Sequence, residues 1–560
     1  LQKLIDLIDK AFCFDKPYDE YELLEREQGS PQTLFGWHER SGKADGSMPQ
    51  VVGLNEPDDQ PANKSAGSKT SVPQSLERTE AIISRRLNTS VNKDAVMRRF
   101  KICGSINALL VYMSGMADDE RINRFILQPL IEAPKSWLLE GRSGAYNCRN
   151  LMQALEQSVV QIGETRLEGD IEIIIPQIVD GMTAVFAEGE STSLLLETRG
   201  YEKRAVSSSE NEKTVLGPKE SFTESLKTNV TLVRRTLRRE ELVVETAPSG
   251  DANKTNLALV YLKGITDPTL VKEVKNRLNK IDCGTLTDSG MLQQLIINKT
   301  LLPVPQVLST ERPDRVCSHV MQGSVGVLLE GSPHALILPV TLFSLINSPE
   351  DVYMLKPLGT LQRLVRYSGA IISVLLPGYF LALAMYHQGG LTAEVISTVV
   401  SSRKMVFEPI GVEMVLLLLV FQLIREAGLR VPGAIGQAIG IIGGLIMGQA
   451  AVAANLASSV VLIIVALSGL GNFCIADYSL QIAASYFRIA VVIAAWLGGL
   501  IAIVAAVVLI ASMLAGMKSF GVPFLAPFAP KTYTKRPLGL RGELGMHKRG
   551  EDYLNTSADA

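Results

Sequence analysis

From residue 367 to residue 517 the chain nearly stops using charged residues. A stretch of that kind and length has few destinations, and the simplest is a set of helices in lipid. Residues 367–386, "YSGAIISVLLPGYFLALAMY", form a 20-residue uncharged run. At about 1.5 Å per residue it can cross the roughly 30 Å hydrocarbon layer. Pro377 sits mid-run, where membrane helices tolerate a kink. The next candidate, 406–424, contains Glu408 and Glu413. Residues 431–476 carry no formal charge at all. As one helix they would be roughly 70 Å long, so they must turn back or break. Residues 489–517 form the last candidate.

Orientation follows from basic flanks. Lys356, Arg363 and Arg366 precede the first candidate, and Lys518, Lys531, Lys535, Arg536, Arg541, Lys548 and Arg549 follow the last. Both ends are expected in the cytoplasm, which demands an even number of crossings. The expected four are 367–386, 406–424, about 456–475 and 489–517, with about 433–452 as a broken or re-entrant helix. Five full crossings is the alternative and would put the basic tail outside.

The 560 residues are too many for one ordinary domain. Net charge is −2, so bulk composition does not point to nucleic acid. Six cysteines lie far apart without a CxxC pair, and five histidines are present. That spacing suggests neither a disulfide framework nor a zinc site, and no metal or cofactor is expected. The acidic N-terminus lacks a long apolar core and does not read as a signal peptide.

The fold class expected is an α/β soluble N-terminal half, made of two small mixed α/β subdomains, followed by an α-helical transmembrane domain. The expected divisions are an appendage at 1–43, a flexible Gly/Ser/Pro-rich linker at 44–84, subdomains at 85–215 and 216–360, a transmembrane domain at 361–518 and a basic cytoplasmic tail at 519–560. "NALLVYM" and "IEIIIPQIVDGMTAVFAEG" read as strands among helices, and "LVVET", "NLALVYLKG" and "GVLLEG" read as strands. "DPTLVKEVKNRLNKI" reads as an amphipathic helix with Asp267 at its N-cap and Pro268 at N1. "PHALILPVTLFSLIN" is too short to span and reads as core or as a segment near the membrane.

Two features of the apolar half stand out. The first is a charged elbow. Glu426 and Arg430 are spaced i, i+4 and can pair on a helix, Arg425 precedes them, and Pro432 stops the helix or kinks it. The elbow is an interfacial flank or a hinge between half-helices. Glu413 lies near the far end of the same helix, either snorkelling to the interface or attracting cations at a pore mouth or subunit contact. The second is a glycine ladder: Gly436, Gly440, Gly444 and Gly448 recur every fourth residue, with Gln437 and Gln449 on a neighbouring face. Glycine weakens a helix by about 1 kcal/mol relative to alanine, so a stripe of it implies close helix packing or a pathway-lining face.

In the soluble half no catalytic set emerges: there is no P-loop, GxSxG, HExxH or dinucleotide fingerprint. A non-enzymatic role is therefore expected. "TERPD" carries Glu311, Arg312, Pro313 and Asp314, read as a structural ion pair ahead of the proline or as a chemical group needing a cleft. The helix "ESLKTNVTLVRRTLRREELV" presents Lys227, Arg234, Arg235, Arg238 and Arg239. Interleaved Glu224, Glu240 and Glu241 favour a solvated face or subunit contact over a phosphate or nucleic-acid site.

At these residues the chain closely resembles the GerA family, the A subunits of bacterial spore germinant receptors. Glu413, "REAGLRVP" at 425–432, "GQ" at 436–437 and "MGQAAVAA" at 447–454 follow its membrane signature. "INRFILQPL", "GPKESFTESLKTNVTLVRR", "YLKGITDPTLVKEVKNRLNKID", "TERPD", "GSVGVLLEGSPHALILP" and "PEDVY" follow its soluble motifs in order. The chain departs from the family pattern at Phe407 and Glu408 in "VFEP", at Gln422 in place of a glutamate, and at Ala476 in place of a proline. The resemblance implies an oligomeric subunit in the spore inner membrane, its soluble half facing the cytoplasm. It also implies work with a transporter-like B subunit and a C lipoprotein, coupling nutrient sensing to ion release as part of a ligand-gated channel. A secondary transporter, or an accessory germination protein without channel activity, is the alternative. A transporter would show inverted repeats and a midplane site.

Overall fold

The structure is a computed structural model that describes residues 71–134, 151–200, 212, 214–249, 254–281, 283–300, 302–430, 444, 448–529 and 554. Two five-stranded antiparallel sheets stand before a bundle of apolar helices.

The first subdomain contains α1 (Leu76–Leu87), β1 (Ala95–Ile102), β2 (Ile106–Met113), a helical run α2 (119–132) and α3 (Leu151–Ser158). It continues with β3 (Thr165–Glu168), α4 (Ile171–Val179), β4 (Thr183–Ala187) and β5 (Ser193–Leu196). Its strand order is β1-β2-β4-β5-β3. Leu109, Val111 and Ala184 pack against α1 and α4, while Leu110, Val185 and Leu194 pack against α2 and α3. With both faces covered, β4 and β5 are buried at every position, which is why they read as unbroken apolar runs rather than alternating ones. Val72, Leu76 and Ile83 belong to this core, so the later part of the linker expected over 44–84 is folded chain. Residues 1–70 lie outside the described part.

One expected strand is a helix. "IEIIIPQIV" forms α4, because Ile171, Ile174, Ile175, Ile178 and Val179 recur at helical spacing on its buried side. Asp170 caps it by accepting from the Glu172 amide at 3.0 Å. Local β-branched content pointed to a strand; the period and the cap decide otherwise.

The second subdomain contains α5 (Leu226–Thr236), β6 (Leu242–Ser249), β7 (Thr255–Leu262), α6 (Pro268–Asn279), α7 (Ser289–Ile296) and β8 (Leu308–Thr310). It closes with α8 (Pro313–Met321), β9 (Val325–Leu329), β10 (Ala335–Leu338), α9 (Leu342–Ile346) and α10 (Glu350–Tyr353). "LVVET", "NLALVYLKG" and "GVLLEG" fall on β6, β7 and β9. Asp267 caps α6, accepting from Thr269 N at 2.7 Å, with Pro268 at its first turn.

The strand order here, β6-β7-β9-β10-β8, repeats that of the first subdomain element for element. The repeat extends to single hydrogen bonds. Glu188 accepts from Leu76 N at 3.3 Å at the start of α1, and Glu330 accepts from Leu226 N at 3.1 Å at the start of α5. Asp118 and Asp267 cap the helices that follow β2 and β7. Gly115 and Gly264 take φ of 83° and 87° just before those caps, a conformation open to glycine. The signal was in the sequence: "NALLVYMSGMAD" at 107–118 aligns with "NLALVYLKGITD" at 256–267.

The basic helix α5 keeps Lys227 exposed but turns Arg234 toward the first subdomain. Arg234 is buried and donates to Asp94 at 2.7 and 3.0 Å and to Asn92 at 2.9 Å, both in the first subdomain. Lys227 pairs with Asp119 at 3.3 Å, and Arg238 with Asp180. These contacts lock the two repeats together. Arg234→Lys keeps the charge but loses the planar fork. We expect a loss of about 1.5–3 kcal/mol, read as a lowered thermal unfolding midpoint of the full chain in detergent.

The helical part comprises α11 (Lys356–Tyr386), α12 (Ala393–Ser402), α13 (Ile410–Arg430), α14 (Ser459–Phe473) and α15 (Tyr478–Gly516). Among the described residues, α11 and α15 are long and apolar enough to cross a membrane. α15 is not the single span expected at 489–517. As one straight rod its 39 residues would measure about 58 Å, yet both its ends rest on the second subdomain. Leu480 and Met517 share one core cluster. Ser519 Oγ accepts from Val340 N at 3.1 Å and donates to the Gln306 carbonyl at 2.7 Å. The reversal falls at Gly498 and Gly499, which leave helical geometry, and Gly499 takes φ 62° and ψ −145°, a region essentially reserved for glycine. Tyr386 packs on this bend and donates to the Trp496 carbonyl at 2.6 Å.

α13 and α14 run in the same direction. Glu413 meets Ser458 at the end of the bundle away from the subdomains, and Arg425 meets Asn472 at the near end. α14 therefore starts at the far end of the bundle, whereas a re-entrant 433–452 would have started it at the near end; residues 431–443 and 445–447 themselves lie outside the described residues. The tail expected from 519 onward also begins differently. A short hairpin, β11 (Lys518–Ser519) with β12 (Val522–Pro523), inserts Phe520, Val522, Phe524 and Ala526 into the second subdomain's two cores, and Leu554 is buried there too.

Candidate functional site

The second subdomain and the bundle meet at a buried polar junction built on "TERPD". Pro313 starts α8, and Arg312 just before it is 1 % exposed. Its guanidinium grips Asp314 through two bonds of 3.0 and 2.8 Å and donates to the Pro218 carbonyl at 2.9 Å and to Thr214. Burial works against that charge, but Asp314 outweighs it and holds the guanidinium above its ordinary range. Tyr353 of α10 donates to Asp314 Oδ2 at 2.7 Å, and burial together with that carboxylate keeps its phenol protonated far above the usual range. Glu311 is buried beside His334, 3.3 Å away. The Arg312–Asp314 pair thus ties the start of α8 to the chain at Thr214 and Pro218.

From α10 the network passes into the bundle. Asp351 is fully buried; it accepts from Arg363 Nε at 3.0 Å and from Arg366 Nη1 at 2.7 and 2.8 Å, both on the first turns of α11. Tyr367 of the same helix donates to Asn347 Oδ1 at 3.0 Å. Arg315 of α8 pairs with Glu212 at 2.8 Å and donates to the Ser344 carbonyl at 3.2 Å. Read as membrane flanks in the sequence, Arg363 and Arg366 are clamps: one carboxylate takes both.

The elbow residues do not converge. Glu413 and Arg425 lie twelve residues apart on one helix, about 18 Å. Glu413 is 2 % exposed, so it neither snorkels nor lines a mouth. It accepts from the Ser458 amide at 2.6 Å, fixing the start of α14, and lies 3.2 Å from Arg403 beyond α12. Arg403 also donates to the Glu408 carbonyl at 2.7 Å, while neighbouring Phe407 is exposed. Arg425 reaches Asn472 of α14. The Asn472 amide, with its oxygen toward Arg425, accepts at 2.7 Å. Glu426 is exposed. The Arg430 side chain, Pro432, Gly436, Gln437 and Gly440 lie outside the described residues.

Close helix contact falls on glycines that were not singled out. A Cβ at Gly471 would stand 2.5 Å from the Gly369 carbonyl oxygen, and one at Gly378 would stand 3.1 Å from the Val491 carbonyl oxygen. Gly369 and Ser373 carry the small-xxx-small spacing that marks such contacts. On the ladder, a Cβ at Gly444 meets nothing within 4 Å among the described residues, and one at Gly448 meets Leu462 at 3.4 Å. Gln449 is exposed.

This architecture defines a two-part protein: a duplicated α/β half bolted by buried ion pairs and shared core residues onto an apolar helical bundle. The chain belongs to the GerA family, whose profile, described as Bacillus/Clostridium GerA spore germination protein, matches residues 81–549. It is 30% identical over 461 residues to "Spore germination protein KA" of Bacillus subtilis (strain 168), covering 82% of each chain. It is 31% identical to "Spore germination protein GerLA" of Bacillus cereus, covering 83% of this chain and 92% of that one. A crystal structure of the N-terminal domain of the A subunit of the Bacillus megaterium spore germinant receptor GerK3 covers 48% of this chain and 97% of that chain, at 26% identity and a TM-score of 0.37.

Proposed function

We propose that this chain is the A subunit of a spore germinant receptor. Its bundle lies in the spore inner membrane and its α/β half faces the cytoplasm. It acts as a non-enzymatic coupler: a nutrient signal reaching it through transporter-like B and lipoprotein C partners shifts the bundle, and ions are released through an oligomeric channel of which it is a component. Family membership supports the setting. The observation that carries the coupling is the rooting of the bundle in the second subdomain. Both ends of α15 enter that subdomain's core and α11 is clamped by Asp351, so a displacement of the subdomain pulls on the bundle directly.

The ladder supplies the contact between copies in this reading. Gly444 is exposed and opens onto no described atom of its own chain. Leucine at Gly440 or Gly444 should block nutrient-triggered cation release from liposomes holding the chain and its partners, while membrane insertion stays normal. Normal release in both variants removes the ladder from the mechanism. Saturable nutrient uptake without ionic current in the same liposomes would replace the channel with a transporter.

A further inference from the structure

α15 carries one charge in its 39 residues, Arg488. It sits about 15 Å along the helix from Tyr478 and is 1 % exposed. Nη1 donates to Ser468 Oγ at 3.2 Å, Nη2 donates to Ser485 Oγ at 3.4 Å, and Nε has no partner. Guanidinium bonds to anionic oxygens run about 2.7–2.9 Å, so both bonds are long and both acceptors are neutral. The two hydroxyls are already committed elsewhere, Ser468 donating to the Ser373 carbonyl at 2.7 Å and Ser485 to the Gln481 carbonyl at 3.0 Å.

A second positive charge makes the site more unusual. Arg425 of α13 donates to the neutral Asn472 amide, which sits beside Ser485, one of the two hydroxyls that hold Arg488. Gln422, three residues before Arg425, has a buried side-chain oxygen without a partner. Among the described residues no carboxylate pairs with either arginine. Arginine does not shed its proton in proteins, and an unpaired charge taken out of water is strongly unfavourable. Such a pair needs an anion.

We propose that Arg488 and Arg425, flanked by the hydroxyls of Ser468 and Ser485, form a site inside the bundle for a small carboxylate anion. The planar fork of arginine matches a carboxylate through two bonds, and the free Nε supplies one of them. The site bridges α13, α14 and α15, so its occupancy ties those three helices together. It stands whether or not the protein conducts ions.

The test uses the full chain in neutral detergent, titrated with potassium formate while bulky potassium gluconate holds ionic strength constant. The thermal unfolding midpoint should rise by several degrees and saturate. Arg425→Gln should shift the half-saturating formate concentration upward about tenfold. Arg488→Gln should abolish the response, yet in gluconate alone it should melt no lower than the wild type, because it removes an uncompensated charge. A purely structural arginine gives the opposite sign there. No formate response in the wild type, an unchanged response in Arg488→Gln, or a clearly lowered midpoint of that variant in gluconate would each overturn the proposal. A rise produced by phosphatidylglycerol but not by formate would assign the site to a lipid headgroup and equally overturn it.

Discussion

Replacing Asp351 with Ala should detach α11 from the second subdomain. Asp351 is fully buried and is the shared acceptor for Arg363 and Arg366. Removing it leaves two cations facing each other with their carboxylate gone. Breaking a buried pair in this way costs about 3–5 kcal/mol, which should appear as a large fall in the thermal midpoint of the full chain. The double variant Asp351→Ala with Arg363→Ala should lose less than the sum of the single changes, because the second deletion removes a charge the first has orphaned. Additive losses would mean that the pair carries little energy. In receptor-bearing liposomes, Asp351→Ala should also abolish nutrient-triggered ion release in the fraction that remains folded.

The second large effect separates two glycines that look alike in sequence. Gly471→Ala places a methyl 2.5 Å from the Gly369 carbonyl oxygen and 3.1 Å from Ser373 N. Both are backbone atoms, so α11 and α14 must part, at about 1–3 kcal/mol for overpacking. That outweighs the roughly 1 kcal/mol that alanine gains over glycine in a helix. Gly444→Ala meets nothing within 4 Å among the described residues and should keep that gain, leaving stability unchanged or slightly higher. Paired unfolding measurements in detergent check the signs. If the two variants moved the same way, the close α11–α14 crossing would be wrong.

Much of the layout was legible from residues alone. Charge depletion marked the helical half, and alternating apolar runs with turn glycines marked β6, β7 and β9. Asp267 and Pro268 marked the start of α6, because caps and first-turn prolines act through their immediate neighbours. The TERPD pair was legible for the same reason: Arg312 and Asp314 are two residues apart. The twofold repeat was equally readable in "NALLVYMSGMAD" and "NLALVYLKGITD" and needed only a comparison of the chain with itself.

What local pattern could not supply was the identity of distant partners. α4 looked like a strand because three consecutive isoleucines favour one; covering the sheet face with a helix reversed that. The hairpin in α15 hid inside continuous hydrophobicity, since hydropathy is silent on direction and only Gly498 and Gly499 mark the bend. Glu413 read as a lone charge in an apolar run, and a lone charge takes its meaning from the groups that face it.

The sequence by itself determined that a charged α/β half precedes an apolar helical half, and which short segments begin helices or strands, because those outcomes depend on composition and on neighbours within a few residues. Only the tertiary structure decided that one carboxylate clamps two flanking arginines, that the last long helix doubles back into the second subdomain's core, and that its one arginine has no carboxylate partner among the described residues. Those depend on groups brought together from up to hundreds of residues apart, and burial sets their energy.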